Sequence, residues 1–416
     1  MKVKRIFFPG VTFNGFYHAF NGFTSGGPVD LAAGLNQIQD RLFFSGMALL
    51  PVFGKAPSGG RLERIQQSAN YGKDHFQNAV PTEVTLKGVT IFKMLREYRN
   101  RPVNTRPNNP VPSVRTDLRA LSSDMPAIVW FGHSSYLLKI KGLSILVDPV
   151  FSGNASPVSF FAKAFPGADI YGVEDLPEID MVVLTHDHYD HLDYKTILQL
   201  APTAKHFYTS LGVGAHLEFW GIPPEKITEL DWWETAAIPE APGLTAGKPG
   251  AMTGQAGTDG NGATTGRATL TATPSRHFSG RGTKRGGTLW SSFVLKIAGY
   301  TLFLGGDSGY EEHFKKIGDL YGPFDLAILE AGQYGKNWPY IHMLPEQTVM
   351  AAKDLRAKVL LPVHWAKFTL ALHPWNEPIQ RVVKAVAGSG ITLATPMIGE
   401  PVVLGAPLPQ TSWWEQ

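Results

Sequence analysis

The sequence predicts an α+β fold of two mixed β-sheets sandwiched between helices. Short strand-like runs joined by a hairpin turn come first, and strand-like runs alternating with helical segments follow. Apolar residues make up 43% of the 416 positions, enough to fill the core that such layers share.

Residues 1–56 are rich in Phe and Gly and read as an N-terminal extension. The start Met1-Lys-Val-Lys-Arg-Ile-Phe-Phe is basic and then apolar, but Gly10, Asn14, His18 and Asn21 interrupt it, so no cleaved signal peptide is expected. The apolar stretch from Leu42 to Gly54 contains Pro51 and falls short of the roughly 20 residues a spanning helix needs. It is read as packing on the core or touching a membrane surface, which gives a cytoplasmic or membrane-peripheral protein.

Residues 57–126 are polar and loop-rich, with helices expected near 60–68 and 89–99, and are expected to wrap the body that follows. That body, 127–408, opens with strands expected at 127–131, 136–140 and 143–147, with Lys141-Gly142 as a hairpin turn. Helices are expected at 194–200, 212–220, 311–320, 346–356 and 378–386. Residues 236–266, rich in Gly, Ala, Thr and Pro, carry no large apolar periodicity and read as a flexible insertion, with a substrate lid as the functional alternative.

Chemistry concentrates at Thr185–Asp193, Thr-His-Asp-His-Tyr-Asp-His-Leu-Asp, directly after the apolar run Met181 to Leu184. Imidazole and carboxylate are the donors that borderline divalent cations prefer, and a turn at a strand end can aim several of them into one pocket. His277, Asp307 and His364 each follow another strand-like run further along the chain. A donor at a strand end is held by backbone that packing has already fixed. Singly, His277 or His364 reads as an ordinary hydrogen-bonded histidine; together with the cluster they read as ligands.

The order HxHxDH, then His, then Asp in Gly-Asp-Ser-Gly, then His resembles the metallo-β-lactamase fold hydrolases, and within them the N-acylphosphatidylethanolamine-hydrolysing phospholipase D enzymes and their bacterial relatives. Trp130 to Ser135, Leu146 to Ser152, Asp231-Trp-Trp-Glu234, Thr273 to Gly280, Gly305 to Tyr310, Ile341 to Glu346 and Val363-His-Trp365 carry the resemblance. It implies an αββα four-layer sandwich with metals at one edge. It also implies two zinc ions, or manganese or iron on the same donors. His186, His188 and His277 would hold the first, Asp190, His191 and His364 the second, and Asp307 both, with a shared hydroxide as nucleophile.

Asp148 and Asp187 are the candidates for accepting protons from ligand imidazoles, although Asp148 reads equally as a turn residue before Pro149. The resemblance places His342 near the substrate phosphate, where, with Asp190 and Asp307, it belongs to the catalytic set; it also reads as a histidine at the start of a helix. His133 reads as pocket floor or as part of a tight strand junction. The resemblance makes Trp232, Trp233, Tyr334, Trp338, Tyr340 and Trp365 candidates for an acyl-chain groove, against the commoner use of such residues as core.

The resemblance implies hydrolysis of N-acylphosphatidylethanolamine to N-acylethanolamine and phosphatidic acid, against the alternatives of a soluble phosphodiester or lactone substrate, as in the ascorbate-6-phosphate lactonase group, or a non-catalytic scaffold. A net charge of +3, from 38 basic and 35 acidic residues, gives no sign of a nucleic-acid partner. The absence of cysteine excludes thiolate ligands. Peripheral membrane contact and a homodimer are the remaining partner expectations.

Overall fold

The computed structural model describes residues 50–238, 268–281 and 285–415. The N-terminal extension up to residue 49 and the insertion from residue 239 onward lie outside them. Two seven-stranded sheets form the centre of the unit that begins at Leu50.

The first sheet has the order β14-β1-β2-β3-β4-β5-β6, comprising Pro401–Val403, Ala127–Trp130, Tyr136–Ile140, Leu143–Val147, Met181–Leu184, His206–Ser210 and Ile227–Leu230. β14 to β3 pair antiparallel, and β3 to β6 pair parallel. Lys141 and Gly142, at φ 48° and 83°, form the two-residue turn between β2 and β3 that right-handed strand twist favours.

The second sheet has the order β13-β12-β11-β10-β9-β8-β7, comprising Thr392–Leu393, Val359–Val363, Leu326–Glu330, Tyr300–Leu304, Ser291–Ile297, Thr269–Pro274 and Thr235–Ala237. It repeats the same plan, antiparallel from β7 to β10 and parallel from β10 to β13. Ala236 and Ala237, expected as the start of the insertion, instead pair with Leu270 and Thr269, because the β8 backbone offers them a ladder.

Strand periodicity sorts the first sheet's side chains onto two apolar faces. Ile128, Trp130, Ile145, Val147, Met181 and Val183 meet Leu270, Phe293, Leu295 and Phe303 of the second sheet. Val129, Leu137, Leu146, Val182 and Leu184 face the other way, onto α3 (Tyr194–Leu200) and α4 (Gly214–Phe219) through Ile197, Leu200 and Leu217. Helices α5 (His313–Tyr321), α6 (Pro345–Asp354) and α7 (Glu377–Val386) bury Phe314, Val349 and Ile379 in the core cluster that holds the second sheet. The result is an αββα sandwich.

Two earlier helices, α1 (Gly60–Gln67) and α2 (Ile91–Arg99), lie in the loop-rich segment. Backbone bonds from Phe76 to Gly286, Leu86 to Asn337 and Val111 to Pro166 tie that segment to the sandwich. Among the described residues no helix is long and apolar enough to cross a membrane.

Candidate metal centre

Asp148, Thr185, His277, Asp307, Glu330 and His364 all stand at or just beyond the C-terminal ends of β3, β4, β8, β10, β11 and β12, so one edge of the sandwich collects them. Backbone geometry helps to aim three of the residues there. His133, Asp148 and His364 hold φ values of 52°, 41° and 67°, a region that non-glycine residues occupy at a cost and that clusters at functional sites. Glycine is required beside Asp307: a side chain on Gly306 would meet the Ser291 carbonyl and Thr185, and one on Gly309 would collide with the Tyr340 carbonyl.

The expected ligands fall into two adjoining groups, each with donor atoms within 4.8 Å of one another: His186, His188, His277 and Asp307, and His133, Asp190, His191 and His364. Asp307 joins them, its carboxylate oxygens 3.2 Å from both His191 Nε2 and His364 Nδ1. A third group, Asp307, Glu330, His342 and His364, overlaps both.

These side chains fit divalent cations. Nδ1 of His186 donates to Thr185 Oγ1 (2.9 Å), Nδ1 of His191 to Asp148 Oδ2 (2.7 Å) and Nδ1 of His277 to the Ile341 carbonyl (2.8 Å). Each bond occupies Nδ1 and turns Nε2 inward as the atom that would meet a cation. His191 Nε2, His364 Nε2 and Asp307 Oδ1 are buried without a hydrogen-bond partner among the described residues, a costly condition that a cation relieves.

Electrostatics agree. Burial pushes His186, His277 and His364 well below the usual histidine range, so their lone pairs are free. Burial works against charge on His191 too, but the carboxylates of Asp307, Asp190 and Asp148 outweigh it and raise it, a sign that the centre demands positive charge. Burial likewise opposes ionised Asp307, yet the charge on His191 beside it holds it well below the carboxylate range.

The centre is open along one rim. Asp190 and His342 expose 12% of their side chains, and His188 is partly exposed, whereas His186, His191, His277, Asp307 and His364 expose 3% or less. A closed cage of protein ligands would be structural; an open side admits water and substrate.

Asp148 accepts from Thr185 N, Thr185 Oγ1 and His191 Nδ1, holding the cluster's first and seventh residues after Leu184 together. Asp187 sits elsewhere: it accepts from Gly280 N and Thr288 Oγ1 and lies 3.5 Å from His216 Nε2, so it braces the loop after His277 instead of a ligand imidazole. Side-chain alternation after β4 turns it away from His186 and His188. Burial pushes its carboxyl up, but His216 and the Gly280 N–H bring it down to about 2.

The expected aromatic groove is not assembled. Trp232 is buried against Trp290, and Trp365 is fully buried between Trp130 and Trp413. Tyr334 bonds Glu377 and stacks on His373, Trp233 lies under Lys316, and Trp338 donates to the Gln333 carbonyl. Tyr340 is the exposed member, its ring beneath Arg276.

Three further residues act at this edge. Asn78 bonds both the N–H and the carbonyl of His277 from 199 positions away, a contact that no sequence spacing announces. His133 Nε2 lies 2.8 Å from Asp190 Oδ2, which puts it in the second donor group and not on a passive floor. Glu330, 1% exposed, accepts from Met343 N at 2.7 Å and His342 Nδ1 at 2.8 Å. A charged residue closing the apolar run Leu326 to Leu329 is the one signal that could have marked it.

Residues 144–365, more than half of the chain, match the family model of the beta-lactamase superfamily domain. An uncharacterized protein of Mycobacterium tuberculosis is 36% identical over 354 residues, covering 84% of this chain and 88% of its own. N-acyl-phosphatidylethanolamine-hydrolyzing phospholipase D 1 of Caenorhabditis elegans is 30% identical over 251 residues, 58% of this chain and 64% of its own. The structure of a metallo hydrolase from Ignicoccus hospitalis aligns with a TM-score of 0.48 at 20% identity, covering 68% of this chain and 100% of that one. The chain belongs to the beta-lactamase superfamily, as a metallo-hydrolase with homologues among the N-acylphosphatidylethanolamine-hydrolysing phospholipases D.

Proposed function

We propose that the protein is a phosphodiesterase of the phospholipase D type that hydrolyses N-acylphosphatidylethanolamine to N-acylethanolamine and phosphatidic acid with two zinc ions. His186, His188 and His277 would hold one ion and Asp190, His191 and His364 the other, with Asp307 within reach of both. Ions so placed acidify water and neutralise charge on phosphoryl oxygens.

The observation that carries a phosphodiester reading is His342 on the open rim. Its ring lies 5.0 Å from His277 and stacks 5.3 Å from His364, with Nδ1 held by Glu330. Oxygen from water joins phosphorus, the bond from phosphorus to the ethanolamine oxygen breaks, His342 delivers a proton to that departing oxygen, and the proton that water gives up restores His342. Asp148, Thr185 and Ile341 keep the inward histidines in one orientation throughout. The nematode relative supports the lipid assignment.

The burial of Trp232 and Trp365 favours a second reading, hydrolysis of a soluble phosphodiester or lactone. Purified, metal-loaded protein offered N-acylphosphatidylethanolamine in mixed micelles, a soluble aryl phosphodiester and a lactone separates the two. Release of phosphatidic acid is expected; intact lipid beside turnover of either soluble substrate would reject the proposal.

A further inference from the structure

We infer that the loop carrying Phe160 and Phe161 docks the protein on an anionic phospholipid surface, an inference that rests on the phospholipid reading of the substrate. The chain leaves β3 at Asp148 and returns at Phe165 through a two-stranded excursion, closed by Ala155 N to Ala162 O, Ala164 N to Gly153 O and a bridge between Asn154 and Lys163. Val150, Ala155 and Phe368, with Ala162 and Ala164 against them, fill its base. At its tip Phe161 N bonds the Val158 carbonyl, and the two phenylalanine rings sit 4.7 Å apart, 69% and 59% exposed.

Isolated apolar side chains on a surface need no explanation, but paired aromatic rings on a pre-ordered tip do. The residues beside them select the occupant. Exposed Lys163 adjoins the tip, and exposed Arg106 donates to the Lys163 carbonyl at 3.1 Å. The neighbouring carboxylate, Asp169, is already paired with Lys367 at 3.0 Å, so the basic charge is left to face outward. Aromatic rings for the acyl boundary with basic groups for the headgroups is the composition of an interfacial anchor.

The anchor is joined to the centre's edge. Ser152 N bonds Asp193 Oδ2, Phe165 N bonds the Lys367 carbonyl, and Phe368 lies edge-on to His133 at 5.2 Å. The loop is thus packed onto the segments that carry Asp193 and His133, so a bilayer that seats the tip is held by the same edge of the fold as the donors.

The test uses the full chain with vesicles of phosphatidylcholine alone and of phosphatidylcholine mixed with phosphatidylglycerol, neither containing N-acylated lipid. Phe160→Ser with Phe161→Ser should weaken co-sedimentation with the mixed vesicles about tenfold or more while leaving turnover of a soluble diester unchanged. Lys163→Glu should weaken binding about fivefold, on the anionic vesicles only. Leu320→Ser, at an equally exposed apolar position on α5, should change nothing. Wild-type binding by the double variant, an equal loss with Leu320→Ser, or conversion of a dimer to a monomer by the double variant would each overturn the inference. Binding as expected beside intact N-acylphosphatidylethanolamine would leave the docking loop standing and remove the substrate reading alone.

Discussion

Glu330 Oε2 lies 2.8 Å from His342 Nδ1 while its other oxygen accepts the Met343 N–H, so one buried carboxylate fixes both the ring and the backbone of the segment that brings His342 to the rim. Burial pushes Glu330 up to about 7, with His342 pulling in the opposite direction.

Glu330→Ala is expected to lower kcat on a soluble diester by about 10- to 100-fold with little change in KM, the loss typical of removing a group that orients a catalytic imidazole. Stability should fall by about 1–3 kcal/mol, because the Met343 N–H is left buried without an acceptor. Steady-state kinetics and urea unfolding check the two effects separately. Glu330→Gln, whose one amide oxygen can still accept the Met343 N–H while its NH2 takes the place of the acceptor facing His342, should recover that stability but not kcat.

Asp307→Ala removes a carboxylate that lies 3.9 Å from His186 and 3.8 Å from His277 of one group and 3.2 Å from both His191 and His364 of the other. Metal analysis is expected to show fewer ions per chain than in the wild type, and turnover should drop by about three orders of magnitude or more. Retained secondary structure by circular dichroism is the accompanying control. Full metal content in this variant would remove Asp307 from the shared position.

Gly309→Ala is expected to cost about 1–3 kcal/mol, because the new methyl group has only the Tyr340 carbonyl to occupy. The displacement runs into the residues before His342, so kcat should fall along with the melting temperature. Gly299→Ala, with open space around it but a φ of 84°, separates backbone strain from collision: it should lose stability without losing kcat.

His313 should carry an acid limb of stability. Burial, reinforced by Arg276, depresses its pKa to about 3 from an ordinary 6.5. Above pH 6.5 both folded and unfolded chains hold it neutral, so it contributes no penalty there. Below that value the unfolded chain takes up a proton that the folded chain refuses, and stability falls until pH reaches about 3. Between pH 7 and pH 4.5 the wild type should lose about 2–3 kcal/mol more than His313→Gln, measured by urea unfolding of both proteins at the two pH values.

Local features of the centre were legible in the sequence wherever the signal was local. The runs at 136–140 and 143–147 became strands with those bounds, and the turn at Lys141-Gly142 has the backbone sign a two-residue hairpin requires. The cluster from Thr185 to Asp193 could be read because six of its nine residues are His or Asp. Asp187 could have been placed better, since alternation alone sets it opposite His186 and His188. Asn78 and Glu330 could not: one Asn in a polar segment and one Glu at a strand end carry no pattern, and only tertiary folding sets them against His277 and His342. The aromatic residues were legible as apolar but not as groove or core, because burial depends on neighbours far along the chain.

Both sheets contribute to the single edge where the donors meet, and neither owns a complete set. During synthesis, the chain that has emerged as far as β6 already displays all four donors of the Thr185–Asp193 turn, yet has nothing to complete either group. The first group is completed just after β10 by Asp307, and the second only after β12, when His364 comes to rest beside His133. A nascent chain halted after β6 would hold the four donors of that turn with neither group complete.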